Sequence, residues 1–534
     1  MSTQKNELEN SFYRVQIRGT LTCLSPLHIG AGLELPLIDR DDEIGVALKK
    51  AEDNKKPADD ENEKQKKDPD YLASTSGKEV QPIIPAASLH GSLLGGRNQQ
   101  SKDVISRLFG CTKEDSLRAG KLQVFDATLK QPSRPEGDRS WSPTRKTILH
   151  QGISIEPITG TAANHHLFTF ELVPSGSIFD IELVLQNVTE TDIATTLGLL
   201  ALWNGGNNSA LGRGRSQGWG KVQWEFAEAR ALQTEDLQQW LKKPAESLEG
   251  FYKPLILEPV PIATNLATQS IPIWIKPDGP FLINQPSLCQ DKPEDKKDGK
   301  ETNDKNKLAD LNFMRTSDGR ALIPGSTLRG LIRARARRIL ASIAHLHFDA
   351  APGRASEISD ELIELLFGET GQRSPLWFED AISDDVLKKS DCGQQSQDAP
   401  PSKHTPHEQV FIAIDRFTGG VADGALYQVE AAISERLETR CHIEIKRQPV
   451  GDWWKGLLLF VLRDALEGDL AVGWGKAKGY GKFSAGIFFD KSDRCSLDEV
   501  LEHIERKGHD PDNWVDALHA KIKESVASKQ GQTA

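Results

Sequence analysis

The stretch Ile323-Pro324-Gly325-Ser326-Thr327-Leu328-Arg329-Gly330-Leu331-Ile332-Arg333-Ala334-Arg335-Ala336-Arg337-Arg338-Ile339-Leu340 decides how the chain is read. Proline and glycine end a strand, and Ser326 or Thr327 is placed to cap the helix that follows. Leu328, Leu331, Ile332, Ala336 and Ile339 recur at helical spacing and form the face to be buried. Arg329, Arg333 and Arg337 stand four apart on another face, with Arg335 and Arg338 beside them. Five arginines with no acid among them, in a chain of net charge −11, suit a polyanion followed along its phosphates. A solvated basic face is the plainer reading. Against it stands a second copy of the stretch, Ile84-Pro85-Ala86-Ala87-Ser88-Leu89-His90-Gly91-Ser92-Leu93-Leu94-Gly95.

Further signatures double in the same order. Leu108-Phe109-Gly110 returns as Leu366-Phe367-Gly368. Ile158-Thr159-Gly160-Thr161-Ala162, leading to Leu167-Phe168, returns as Phe417-Thr418-Gly419-Gly420-Val421, leading to Leu426-Tyr427. Gly218-Trp219-Gly220-Lys221 returns as Gly479-Tyr480-Gly481-Lys482. Repeats in register mean a tandem duplication with unequal insertions. Each copy opens with an alternating strand (Val15, Ile17, Leu21, Cys23; Ile271, Ile273, Ile275). The helix, a hairpin around the Thr-Gly motif, a long strand, a second helix, a glycine-rich turn and a closing strand follow. This order predicts an α+β chain of two tandem ferredoxin-like domains, RRM-like in their βαββαβ plan, each with a thumb hairpin and inserted loops. The expected division is residues 1–231, a linker at 232–270, a second domain at 271–490 and a helical tail at 491–534. Polar, charge-mixed segments at 49–70, 290–310 and 383–407 read as solvated loops.

Composition sets the bounds. At 534 residues and pI near 5.7, the chain is not one that coats nucleic acid indiscriminately, although a local basic groove remains open to it. Six scattered cysteines include no CxxC pair, which points to reduced thiols, a cytoplasmic setting and no zinc. The first ten residues are polar, and no stretch approaches a membrane span.

The strand followed by IPGSTLRGLIR, the Thr-Gly thumb motif ahead of an aromatic and an acid, and the closing glycine-rich turn together resemble the RAMP superfamily of CRISPR systems. Both halves look like the backbone subunit of type III effector complexes, here fused in one chain. The resemblance implies stacking along a guide RNA, pairing of guide with target RNA, and a thumb that kinks the duplex and flips out a nucleotide. Implied partners are guide RNA, target RNA and other effector subunits in a stacked filament. In many members an aspartate in the loop before the IPG motif supports metal-dependent cleavage of target RNA, with Mg2+ or Mn2+.

Carried onto this chain, the catalytic candidates are Asp70 and Asp310, which precede Pro85 and Pro324 by similar intervals; Asp39, Asp68 and Asp318 are the fallbacks. No fixed metal set is expected, only transient Mg2+ near Asp70 or Asp310. RNA-binding candidates on the first copy are Ser88, His90, Arg97, Arg213, Arg215 and Lys221. On the second they are Ser326, Arg329, Arg333, Arg337, Lys476, Lys478 and Lys482. The glycine turns would offer backbone N–H groups to phosphate, and Trp219, Trp474 and Tyr480 could stack on bases. In the thumbs, Thr159, Phe168, Arg416, Thr418 and Tyr427 are singled out, Phe168 and Tyr427 as wedges; Arg145 is read as a phosphate contact. Competing readings are a non-catalytic scaffold, with cutting done by partners, and a guide-processing endonuclease.

Overall fold

The computed structural model describes residues 11–30, 81–95, 102–111, 117–135, 140–156, 161–205, 210–243, 247–262, 268–285, 309–316, 318–369, 371–386, 406–422, 426–489, 492–493 and 496–530. Asp39, Asp68, Asp70, Arg97 and Thr159, and most of the three polar loops, lie outside the described residues.

In chain order the first half runs β1 (Ser11–Cys23), β2 (Ile83–Ile84), α1 (Ala86–Gly95), α2 (Lys102–Phe109), β3 (Leu122–Val124), β4 (Ala127–Gln131), β5 (Trp141–Ser142), β6 (Thr147–Ile155), β7 (Ala162–Leu172), β8 (Ile178–Thr189), α3 (Glu190–Ala201), β9 (Val222–Gln233), α4 (Thr234–Leu241) and β10 (Lys253–Pro254). Alternation in β1 buries Val15, Ile17, Leu21 and Cys23 on one face. Among the described residues the sheet order is β10-β9-β1-β8-β4-β2, with β3 also paired to β8. Its pairings are antiparallel.

The second half runs β11 (Thr268–Pro277), β12 (Leu311–Asn312), β13 (Arg320–Ile323), α5 (Gly325–Leu346), α6 (Pro352–Phe367), β14 (Leu376–Phe378), β15 (Ala381–Val386), β16 (His407–Phe411), β17 (Tyr427–Ala431), β18 (Leu437–Glu444), α7 (Trp453–Leu466), β19 (Leu470–Ala471), β20 (Lys482–Phe489), β21 (Ser492–Asp493), α8 (Leu497–Arg506) and α9 (Pro511–Gln530). Its sheet order is β13-β15-β18-β11-β20-β19, with β14 on β18 and β21 on β20. Strand for strand, β9, β1, β8, β4 and β2 answer to β20, β11, β18, β15 and β13. Each sheet has its own apolar core. A small sheet stands beside each: β5-β6-β7 in the first half and β12-β17-β16 in the second.

Four sequence expectations shift. Neither Ser326 nor Thr327 caps α5. The helix begins at Gly325, whose N–H donates to Asp380 Oδ1 at 2.8 Å, just as Ala86 N–H donates to Asp126 Oδ1 at 2.7 Å in α1. Much of the stretch read as a linker lies against the first sheet: β10 pairs with β9, and Val260 N–H donates to Ala194 O of α3 at 3.0 Å. Ser383 to Val386, read as loop, belong to β15. The tail, expected to hold one helix and a frayed end, forms a second, 20-residue helix, α9, which packs on α7 and α5 and buries Leu518, Ile522 and Val526.

Candidate nucleic-acid interface

The five arginines of α5 do not form one open basic face. Arg335 Nε donates to Asp464 at 2.5 Å. Arg337 grips Asp360 through both Nε and Nη2, and donates to Ser356 at 2.9 Å. Arg329 donates to the Phe367 carbonyl and lies over the Phe367 ring at 5.7 Å; burial, helped by the Arg333 charge, brings its guanidinium down to about 10. Only Arg333 and Arg338 are exposed among the five. The reason is two neighbouring helices: α6 supplies Asp360, Ser356 and the Phe367 carbonyl, and α7 supplies Asp464, partners that a reading of α5 alone omits. His90 takes the place of Arg329 in the first copy and packs edge-on against Phe109 at 5.1 Å, with Ser88 on the same first turns.

The glycine-rich turns fold for a different reason than phosphate contact. Arg213 N–H donates to His28 O (2.9 Å), Gln217 N–H to Gly214 O (2.8 Å) and Gly220 N–H to Pro26 O (2.8 Å). In the second turn Trp474, Lys478 and Gly481 bond Leu282 O, Gly475 O and Pro280 O at 2.7 to 2.9 Å. These N–H groups close the turn, or tie it to the segment after β1 or β11, instead of facing an anion. Trp219 and Tyr480 are buried, so of the three proposed stacking rings only Trp474 retains partial exposure. Arg145 is likewise internal: its Nε and Nη2 hold buried Glu171 at 2.5 and 3.0 Å, with Thr147 adding a hydroxyl at 2.7 Å. In the second half Arg315 grips the equivalent Glu430.

What the turns do present is a joint between the halves. The tip Arg215–Gln217 rests on α5 and β14. Lys221 pairs with Glu379, which also accepts from His442 Nε2 at 2.6 Å, and Trp377 stacks on His442 at 5.3 Å. Burial alone would raise the Glu379 carboxyl; the His442 hydrogen bond and the Lys221 charge outweigh it and hold it down at about 2. Desolvation pushes the neighbouring Asp380 up to about 6. Lys221 is therefore committed to protein. A Cβ at Gly325 would stand 2.3 Å from Phe378 O of its own half and 3.1 Å from Gln217 O, and one at Gly218, where φ is +83°, 3.0 Å from Phe378 O; glycine is needed at Gly325 first for the Phe378 carbonyl, and the two halves approach closely beside it.

Beside this joint opens a cleft of about 350 Å3, lined by Arg215, Arg329 and Arg373 together with Ser216, Gln372 and Trp377. Arg215 lies over Trp377 at 5.7 Å, and burial plus the Arg373 charge lower it to about 10. Three guanidiniums at one cleft, set against the Glu369 carboxylate in its lining and Glu444 3.5 Å from Arg373, leave a basic surplus that favours an anion, a combination of copies that no single motif reveals. Arg213 is exposed at its edge.

Among the described residues the second turn meets no such receptor within the chain. Lys476, Lys478 and Lys482 are exposed; Lys482 lies 3.7 Å from Asp278. Lys478 reaches the Tyr427 hydroxyl and sits 4.5, 4.9 and 5.1 Å from the rings of Phe411, Trp474 and Tyr427. Above it the second thumb exposes Val410, Ile412, Ile414, Val421 and Leu426, with Arg416 and Thr418 near a tip where Phe417 is 99% exposed. Phe417 is the residue that sequence reasoning passed over; its signal was an aromatic immediately before Thr-Gly at a hairpin tip. Phe168 is 40% exposed and Tyr427 half-buried. Asp310 is exposed at the foot of this thumb, its Oδ2 accepting Gln428 N–H at 2.8 Å, one residue from Tyr427. Asp318 instead pairs with Arg320 at 2.7 Å. The one set of three carboxylates close enough to share a cation among the described residues, Asp464, Glu467 and Asp469, borders Arg335 and lies on the α7–β19 turn, apart from the thumb. No described helix is long and apolar enough to cross a membrane.

Comparison with known proteins bears on both halves. A protein named CRISPR system Cms endoribonuclease Csm3 from Enterococcus italicus is 25% identical over 232 residues, covering 40% of this chain and 90% of that one. One of the same name from Streptococcus thermophilus is 29% identical over 173 residues, 28% of this chain and 72% of that one. The family model of the RAMP superfamily matches residues 20–223 and again residues 272–484. With most of its length matched in two successive repeats, this chain belongs to the RAMP superfamily.

Proposed function

We propose that the chain is a double backbone subunit of a type III CRISPR ribonucleoprotein, which holds guide RNA, bends its duplex with target RNA and cuts the target. Each half is then a ferredoxin-like unit, divided at residues 1–231 and 271–490, with 232–270 joining them and 491–534 covering the second. The twofold family match and relatives named as endoribonucleases support the assembly. The arginine cleft supports the grip, because a phosphate entering it takes charge-assisted hydrogen bonds from guanidiniums already partly desolvated. The exposed apolar thumb supports the bend. Phe417 enters a base step as a wedge, at a cost of a few kcal/mol of unstacking, while Arg416 and Thr418 meet the backbone beside it.

The observation that carries the cutting role is Asp310, an exposed carboxylate fixed by a backbone N–H at the foot of the thumb, where a displaced nucleotide would lie. Such a solvated carboxylate fits Mg2+ or Mn2+, hard cations that keep most of their waters. When bound, the cation offsets charge on the phosphoryl group under attack. Asp310 holds its place through Gln428 and orients the attacking 2′-hydroxyl. Lys478, steadied by Tyr427 and the surrounding rings, adds a fixed positive charge nearby. Asp70 has the matching role in the first half.

A cleavage map of target RNA by the assembled complex tests this, using wild type, Asp70→Ala, Asp310→Ala and the double variant, with magnesium and with chelator. Each single substitution should erase one cut by at least about a hundredfold while guide binding stays within twofold. An unchanged map with intact binding would leave the chain a scaffold.

A further inference from the structure

Docking of the tail helix on the end of the arginine helix brings two histidines from distant parts of the chain together. Leu518 and Ile522 are fully buried against the core of the second half, which fixes the rotation of α9 and sets His519 beside the end of α5. His347 closes α5, its N–H donating to Ile343 O at 3.0 Å. The turn beyond it is held by His345 Nδ1, which donates to Ala350 O at 2.8 Å, and by Ala350 N–H, which donates to Ala344 O at 3.0 Å. The rings of His347 and His519 then lie 5.0 Å apart, inclined by 45°. The Phe348 ring stands edge-on to both, at 4.7 and 6.2 Å, and walls the pair on one side.

The nitrogens of both rings are without a protein hydrogen bond among the described residues. His347 is exposed and His519 half-buried, so the pair is open to solvent. Two imidazole nitrogens about 2.0–2.1 Å from one ion, at about the tetrahedral angle, set ring centres roughly 5 Å apart. The observed spacing meets that requirement. Asp516 stands one turn before His519 on α9 and, with His347, supplies the charges that act on it. Arg335, Arg338 and Arg463 line a cavity beside His519, but Arg335 and Arg463 are tied to Asp464, and Arg338 is exposed and screened by water.

We propose that His347 and His519 form a site for one borderline divalent transition-metal ion, of the Zn2+ or Ni2+ class, which ties the tail helix to the end of α5. Imidazole selects such ions over Mg2+, which prefers oxygen ligands, so the site is chemically distinct from the carboxylate at Asp310. Water completes the shell, and Asp516 is placed to hold one of these waters. Because the two ligands stand on separate helices, the chelate exists only while α9 is docked, and the ion stabilises the docked tail by mass action. The site is independent of the reading of the chain as a ribonucleoprotein subunit.

Calorimetric titration of Ni2+ into the full chain, untagged and stripped with chelator, tests it, with melting curves and limited proteolysis of the tail read on the same samples. Wild type should bind an equivalent of Ni2+ that His347→Ala and His519→Ala lose or hold at least about tenfold more weakly. Saturating Ni2+ should raise the wild-type melting temperature by at least about 2 °C and slow the proteolytic release of α9. Neither effect should appear with Mg2+ or in the two variants. Should His519→Ala loosen the tail by itself, His347→Ala, on an exposed residue, keeps the measurement decisive. His509→Ala removes an exposed histidine of the same tail, whose ring packs on Trp514 at 5.8 Å, and should bind Ni2+ as wild type does. Equal Ni2+ affinity in wild type and folded His347→Ala would overturn the proposal, as would a loss of the same size in His509→Ala or protection by Mg2+ equal to that by Ni2+.

Discussion

The two glycine-rich turns have nearly the same backbone and opposite surroundings. Both are held by matching hydrogen bonds: Gln217 and Lys478 close the turn itself, and Arg213, Gly220, Trp474 and Gly481 tie it to the segment after the opening strand. Yet Arg215 and Lys221 of the first are held by Trp377 and Glu379 across a joint, while Lys476, Lys478 and Lys482 of the second face outward. The difference shows that the motif itself encodes a rigid tip and that its neighbours decide what the tip does. A lysine at the end of a GxGK turn is a joint residue in one copy and, in the other, an exposed cation near Asp278 of its own half.

Charge reversal is the strongest way to break this comparison. Lys221→Glu puts two carboxylates together in a partly desolvated joint and should cost about 3 to 5 kcal/mol. Lys482→Glu, on an exposed residue, should cost no more than about 0.5 kcal/mol. Thermal unfolding with limited proteolysis between the halves reads both. Equal effects would mean that the joint is not where the structure puts it.

Backbone approach should matter next. Gly325→Val forces a branched side chain against the Phe378 carbonyl of its own half, and then against the Gln217 carbonyl, and should destabilise by about 2 kcal/mol. Ala86→Gly should lower stability by under about 1 kcal/mol, through helix propensity alone. Urea unfolding of the two variants separates these mechanisms.

A smaller effect follows pH. Glu379 is held near 2 against an ordinary 4.5, so its contribution is complete above about 4.5 and is lost as pH falls toward 2. Asp380 is raised to about 6 against 3.8, so the folded state takes up its proton first, and stability rises as pH falls through 6 toward 3.8. The joint should therefore be tightest near about pH 4 to 4.5, with stability falling on either side. Glu379→Gln should flatten the acid limb and Asp380→Asn the neutral limb in melting curves taken across pH. The smallest stability change is expected at the thumb tip. Phe417→Ser should leave the melting temperature within about 1 °C, since a side chain so exposed packs on nothing, while the cut assigned to Asp310 falls at least about tenfold.

How far the sequence could be read follows from the same contrast. The strand alternation of β1, the doubled signatures and the helix α5 were legible because period and repetition are local properties. The fate of the arginines was not. Arg335 and Arg337 look free along α5, and they are paired by Asp464 of α7 and Asp360 of α6, acids distant in sequence. Asp380 and Asp126, which cap the two first helices, sit at the ends of strands β14 and β3, where no helical pattern points to them. The glycines were recognised as essential, but for phosphate; their positions answer to closure of the turn and to the close approach at Gly325 and Gly218. Asp310 was found through its place before the IPG motif, whereas its bond to Gln428 required the thumb strand to be seen beside it.

Joining the copies on one chain has a further consequence for the Lys221–Glu379 contact. Residues 253–262 run along the first half, so only a short span separates that packed segment from β11. Donor and receptor are thus held at an effective concentration in the millimolar range, whatever the abundance of the protein. An interface between separate chains with the same contacts would come apart on dilution; this one cannot. Its copies meet in a fixed one-to-one ratio, and its intrinsic affinity is released from the need to be high.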